Sequence, residues 1–273
     1  MRVHPAADAL QWRSDTVQGF EKMTATDNTP PSGGPVPAEL TADLAAASRI
    51  LAAQGVVDGF GHVSMRHPTA PARYLMARSL APALVTPDDI IEYDLDSSPC
   101  NARGRSSFLE RFIHGEIYKA RADITAVVHS HSPSVIPFGL IGVPLQAMFH
   151  TAAFLAVGVP VFDIAKSFGA TDMLVSNAAK GVALAHSMGE RDIVLMRGHG
   201  SVACGGSLQI AVFRAVYTEV NARIQRWTAT LGGGTPVAAL NVEEGRLADV
   251  INRTAGMRAW DLWRKQVRAE VGW

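Results

Sequence analysis

An excess of either charge is missing from this sequence. Its 25 Lys and Arg residues balance 25 Asp and Glu over 273 positions. That balance argues against a partner held mainly by electrostatics, and so against nucleic acid and anionic membrane. Cysteine is scarce: Cys100 and Cys204 stand far apart, too few for a disulfide framework and in keeping with a reducing compartment. No apolar run reaches the length of a membrane span, and the longest, from Ala152 to Phe162, is broken by Gly158 and Pro160. The opening residues from Met1 to Asp8 lack the apolar core of a secretion signal. These absences lead to the expectation of a soluble, cytoplasmic protein with neither a nucleic-acid nor a membrane partner. Apolar residues are plentiful, at 48% against 18% charged, enough to bury a large core.

From Thr24 to Pro37 the chain turns to Thr, Asp, Asn, Gly and Pro. Residues 1–36 are therefore expected to form a flexible arm and linker, and 37–273 the folded domain. Leu40, Leu44, Ala47 and Leu51 recur at helical spacing before the stop signal of Gly55. Strand character follows at His62–Met65, Tyr74–Ala77 and Ile90–Tyr93. Phe108, Phe112, Ile113 and Ile117 suggest a second helix that leads into an extended run from Ile124 to His131, after which Ser132-Pro133 reads as a helix start. The same grammar recurs as a helix over Thr171–His186 and a buried strand Asp192–Met196. Val212, Val216, Val220, Ile224 and Trp227 define a long helix, and Trp260, Trp263 and Val267 a last one. Alternating helices and short strands with no repeat indicate an α/β fold around one sheet.

His129-Ser130-His131 is the strongest chemical signal, because residues two apart on a strand share a face and can direct two imidazoles at one metal ion. His199 is the candidate third ligand, just past a buried strand and between Gly198 and Gly200, which allow close approach. Glu110 begins the helix that leads into this strand, with His114 one turn on. The pair reads either as solvated surface groups or as an acid facing the metal, able to take and give one proton. His62, at a strand start, is open to two readings: a contact to substrate or a backbone-satisfied imidazole. Tyr217 fits the edge of a helix interface better than a catalytic position.

The stretch from Glu110 through His114, Tyr118 and Asp123 to His129-Ser130-His131 resembles the signature of the class II aldolase/adducin family, with nineteen residues from the acid to the first histidine. Gly61-His62-Val63-Ser64 stands in place of the family's Gly-Asn-x-Ser, and the turn Thr86-Pro87-Asp88-Asp89 and Arg197-Gly198-His199-Gly200 also match. The resemblance spans Leu40 to Trp227. It implies a three-layer αβα single domain with a central, mainly antiparallel sheet, and a homotetramer with sites at subunit interfaces. It implies His129, His131 and His199 as metal ligands and Glu110 as the catalytic acid/base.

Sugar-phosphate aldolases of the family carry two serines directly before the glutamate, where this chain has Phe108 and Leu109. The family's other phosphate loop is Ala77-Arg78-Ser79 here. Loss of the phosphate pocket, an Arg78 fork suited to a carboxylate with Ser79 in support, and Phe108 as an aromatic wall point to the family's decarboxylases of hydroxylated aromatic dicarboxylates. The patterns Arg78–Pro82, Asn101–Gly104 and Ser107–Phe112 resemble those of the members of this branch that act on 3-hydroxy-2-methylpyridine-4,5-dicarboxylate, and this resemblance implies that compound, losing its 4-carboxylate, as the substrate. In that reaction Glu110, protonated, or a water it orients, delivers a proton to ring carbon 4, and His62 bonds a ring substituent. Two chelating substrate oxygens plus water favour Mn²⁺, whereas a closed tetrahedral site would suit Zn²⁺. The alternative is an aldolase cleaving a non-phosphorylated hydroxy-carbonyl compound with the same residues. A non-catalytic scaffold, as in the adducin branch, would have no need of the three histidines.

Overall fold

A computed structural model describes residues 29–233 and 237–271. Its centre is a seven-stranded sheet made of β1 (His62–Arg66), β2 (Arg73–Ala77), β3 (Ile90–Asp94), β4 (Ala126–Ser130), β5 (Val161–Phe162), β6 (Ile193–Met196) and β7 (Gly200–Gly205). The spatial order is β3-β2-β1-β4-β7-β6-β5. All neighbours run antiparallel except β5 and β6. The helices are α1 (Ala38–Ala53), α2 (Arg111–Ala120), α3 (Ile164–Phe168), α4 (Ala178–Met188), α5 (Leu208–Gly232), α6 (Val242–Ala255) and α7 (Met257–Val271).

Three layers follow from the period of two along the strands. Leu75 and Ala77, Ala126 and Val128, Ile193 and Leu195 face a core shared with α1, α5 and α7. Their neighbours Tyr74 and Met76, Val127, Val194 and Met196 face a second core shared with α2 and α4. Both faces being covered, the inner strands read as continuous apolar runs rather than alternations. Ile113 and Ile117 of α2 are fully buried, each contributing about 1.5–3 kcal/mol.

Two expected helices are corrected. The chain after Ser132-Pro133 makes only a 3-10 turn at Ile136–Gly139, where Pro137 and Gly139 prevent an α-helix. The Ser132 hydroxyl donates instead to the buried Glu219 carboxylate of α5. The helix expected over Thr171–His186 starts only at Ala178, where Asn177 accepts from the Lys180 amide as its cap. Residues 171–177 form a loop, with Met173 at φ +67°. Of the expected arm, residues 1–28 lie outside the described residues. Residues 32–34 are held at the sheet edge: Ser32 and the Gly33 amide donate to Glu92, and His67 Nε2 lies 3.3 Å from the Gly34 carbonyl. Strand β7 and helix α6 were not foreseen. β7 is built of small residues with a glycine at each end, and its Gly200 is required because a Cβ there would collide with the Ser130 carbonyl. Among the described residues, no helix is long and apolar enough to cross a membrane.

Candidate active site

The pleat of β4 brings His129 to the face covered by α2, and His131 continues the same face just past the strand end. His199 stands in the hairpin turn between β6 and β7, where Gly198 has φ +64°. Pairing of β4 with β7 sets this turn beside His131. His131 Nε2 lies 3.2 Å from His129 Nε2 and 3.0 Å from His199 Nε2. Glu110, at the start of α2, places Oε2 3.4 Å from the Nε2 atoms of both His129 and His199. One ligand atom from each of the four residues falls within 4.8 Å of the others.

The surroundings fix the ring protons. His129 Nδ1 lies 3.1 Å from the Ser201 carbonyl and His199 Nδ1 3.1 Å from the Met173 carbonyl. A carbonyl can only accept, so both rings carry a proton on Nδ1, and in the neutral form each turns an Nε2 lone pair inward. His131 Nε2 can donate to just one of them. The centre therefore holds more lone pairs than protons, beside a carboxylate, and these residues could hold a divalent cation. Such carbonyl-oriented imidazoles with a neighbouring carboxylate are the donor set of a metal site.

With no cation between them, the groups shift one another's charge. Burial opposes ionisation of Glu110, yet His129 and His199 outweigh it and hold the carboxyl well below its usual range. Burial also opposes a charged His199, but the Glu110 carboxylate raises its pKa overall. His131 is pushed down to about 4, by burial first and then by His129 and His199. Glu110 Oε1 is pinned by the Val175 amide at 2.9 Å.

Glu110, His129 and His131 of this cluster line a cavity of about 420 Å³, together with Phe60, His62, Ser79, Leu80, Phe108 and Leu109. The volume suits a small-molecule ligand. Phe108 lies against the His62 ring at 4.6 Å between centroids, the two planes tilted by 46°. Ser79 reaches the pocket. Arg78 is not part of its lining, and its Nε donates to Asp89 at 2.6 Å. Tyr217 lies elsewhere, among Phe149, Phe213 and Trp263, and lines a separate cleft of about 470 Å³ between α5 and the C-terminal helices. The sequence reading missed the Met173 carbonyl and Val175 amide, because a backbone group in a loop carries no residue-type signal.

Residues 42–226 match the model of the Class II Aldolase and Adducin N-terminal domain. A decarboxylase, tropJ, from Talaromyces stipitatus is 37% identical over 80% of this chain and 90% of its own length. A 3,4-dihydroxyphthalate decarboxylase from Arthrobacter keyseri is 30% identical over 84% of this chain and 94% of its own. The L-fuculose 1-phosphate aldolase structure from Glaciozyma antarctica superimposes with a TM-score of 0.70 at 21% identity, covering 89% of this chain and 95% of that one. With the fold, the converging histidines and this extent of similarity together, the chain belongs to the class II aldolase/adducin family.

Proposed function

We propose that this lyase is a divalent-metal-dependent decarboxylase of an aromatic carboxylate that carries a hydroxyl beside the leaving group. The observation carrying this reading is the convergence of three imidazole Nε2 atoms and the Glu110 carboxylate under an apolar, ring-sized pocket. A cation held by His129, His131 and His199 would supply a Lewis acid for the oxygen next to the scissile carbon. The reading is supported by two relatives named as decarboxylases, one of them for 3,4-dihydroxyphthalate. It is also supported by Phe108 and Leu109 standing where sugar-phosphate aldolases use serines.

Glu110 carries the proton. Its Oε1 is committed to Val175, so Oε2, which faces the His129 and His199 Nε2 atoms, is the oxygen that accepts the proton of the substrate hydroxyl and returns it to the ring carbon that bears the carboxylate. Carbon dioxide then leaves with its bonding pair restoring the aromatic ring, so one C–CO₂⁻ becomes C–H with no oxidant or reductant. Phe108 and His62 hold the ring flat, and burial of Glu110 excludes bulk water from the transfer. Arg78 gives its Nε to Asp89, and the donors on its two terminal nitrogens remain for a second substrate carboxylate. The Ser79 hydroxyl remains for a second carboxylate. Phe60 and Leu109 stand exposed at the mouth, in keeping with a homotetramer whose neighbouring subunit closes the site.

The finer assignment is 3-hydroxy-2-methylpyridine-4,5-dicarboxylate, losing its 4-carboxylate, with Mn²⁺ ahead of Zn²⁺ and a cytoplasmic location. 3,4-Dihydroxyphthalate shares the hydroxyl beside a carboxylate and is the direct competitor. Carbon dioxide release from each by Mn²⁺-supplemented protein, with a chelator-treated control, tests both. Metal-dependent release identifies the ring by rate. No release with metal demonstrably bound sinks the decarboxylase and leaves aldol cleavage of a non-phosphorylated substrate.

A further inference from the structure

Four polar side chains form one continuous line from the pocket wall into the core between α2 and the sheet. His62 Nδ1 lies 2.7 Å from His114 Nε2, His114 Nδ1 lies 2.6 Å from Ser64 Oγ, and Ser64 Oγ lies 2.7 Å from the Tyr118 hydroxyl. The sequence dictates this alignment. His62 and Ser64 are two apart on β1 and share a face, and His114 and Tyr118 are four apart on α2 and share a side. All four are buried, His114 and Ser64 completely. Ser64, His114 and Tyr118 have no part in the reaction outlined above.

With both imidazoles neutral, as their burial favours, the line can be polarised in only two ways. If its protons pointed inward, Ser64 would donate to Tyr118, and the Tyr118 proton would need another acceptor. Among the described residues, Ser64 is the side chain bonded to that hydroxyl. The backbone N–H of Val127 also faces the phenol oxygen and can only donate. A buried hydroxyl left without an acceptor is costly, so Tyr118 donates to Ser64. Ser64 then donates to His114 Nδ1, and His114 Nε2–H to His62 Nδ1. The proton of His62 is left on Nε2, which has no hydrogen bond among the described residues, on a ring that lines the pocket.

We propose that Tyr118, Ser64 and His114 are positioning residues that lock His62 in its Nε2–H tautomer, so that the pocket presents a fixed hydrogen-bond donor to an anionic oxygen of the substrate. The identity of that oxygen, a carboxylate or ring oxygen of an aromatic acid, rests on the decarboxylase reading; the polarity of the chain does not. The opposite polarity would offer a lone pair and repel such an oxygen. Phe108 and His129 flank the His62 ring at 4.6 and 5.1 Å, which keeps the donor aimed.

The test is multiple-bond proton–nitrogen NMR on protein labelled with ¹⁵N-histidine and loaded with diamagnetic Zn²⁺, the His62 signals being assigned by their loss in His62→Gln. Wild-type protein should show His62 Nδ1 as pyridine-like and Nε2 as pyrrole-like. A pyrrole-like Nδ1 overturns the proposal. Ser64→Ala should release the lock and give mixed tautomers. Should it fail to fold, His114→Leu, which leaves Ser64 and Tyr118 bonded to each other, serves the same end, and His114→Gln, whose amide can still donate to His62, should restore the single tautomer. An unmixed tautomer in His114→Leu also overturns it. On a turned-over substrate, His114→Leu should raise KM roughly tenfold with a much smaller change in kcat, the signature of a lost binding contact. The expected tautomer in a protein that releases no carbon dioxide sustains this inference while sinking the decarboxylase. Carbon dioxide release with the opposite tautomer does the reverse.

Discussion

The backbone amide of Val175 donates to Glu110 Oε1 at 2.9 Å, across 65 residues of sequence. The same loop sends the Met173 carbonyl to His199 Nδ1. One irregular segment thus orients both the proposed proton carrier and a candidate metal ligand, and it can do so because its backbone groups are not spent within a helix.

Glu110→Gln keeps an oxygen for Val175 and removes the proton carrier. Bound metal should persist while kcat falls by roughly 10²–10⁴. Metal analysis beside steady-state kinetics checks this, and loss of metal in the variant would make Glu110 a ligand rather than an acid/base.

Adding Mn²⁺ or Zn²⁺ to chelator-treated protein at about a hundred times Kd should raise Tm by roughly 5–10 °C. His129→Ala and His199→Ala should abolish most of that rise in a thermal melt. An equal rise in both variants would move the metal elsewhere.

A Cβ on Gly200 would collide with the Ser130 carbonyl, between the two strands that bring His199 to His131. Gly200→Ala should therefore lower Tm and weaken metal binding together. Calorimetry on the variant, with metal titration, would show an unaltered site if the strands can part without cost.

His114 is pushed down to about 3, by burial first and then by the charge of His129. Above about pH 6.5 it is neutral folded or unfolded and adds no pH dependence. As pH falls below that value the unfolded chain binds a proton that the folded one refuses. Stability should then drop by up to about 1.4 kcal/mol per pH unit from this group until the folded pKa is reached. Urea unfolding at pH 7, 6 and 5 measures the slope, which His114→Gln should make shallower.

Phe108→Ala removes the aromatic wall beside His62. Such ring contacts are worth about 0.5–1.5 kcal/mol, so KM for an aromatic acid should rise several-fold with metal content unchanged. An unchanged KM would place the ring elsewhere in the pocket.

Much of the site was legible in the sequence because its signals are local. The pair His129 and His131 needs only the pleat of one strand, and Glu110 with His114 only one helical turn. The inner strands read as continuous apolar runs, the mark of a sheet covered on both faces, and the three layers were what the family resemblance implied. The ordered motifs resembled those of the family. What tertiary structure alone decided depends on contacts between segments far apart in the chain. Pairing of β4 with β7 delivers His199 to His131. A loop read as helix supplies the Met173 carbonyl and Val175 amide, and packing of α2 on β1 joins His62 to Tyr118. Arg78, a plausible carboxylate fork by type, shares its Nε with Asp89. Residue type states which bonds a group can make, but which partner arrives first is set by packing, and packing is a property of the whole fold.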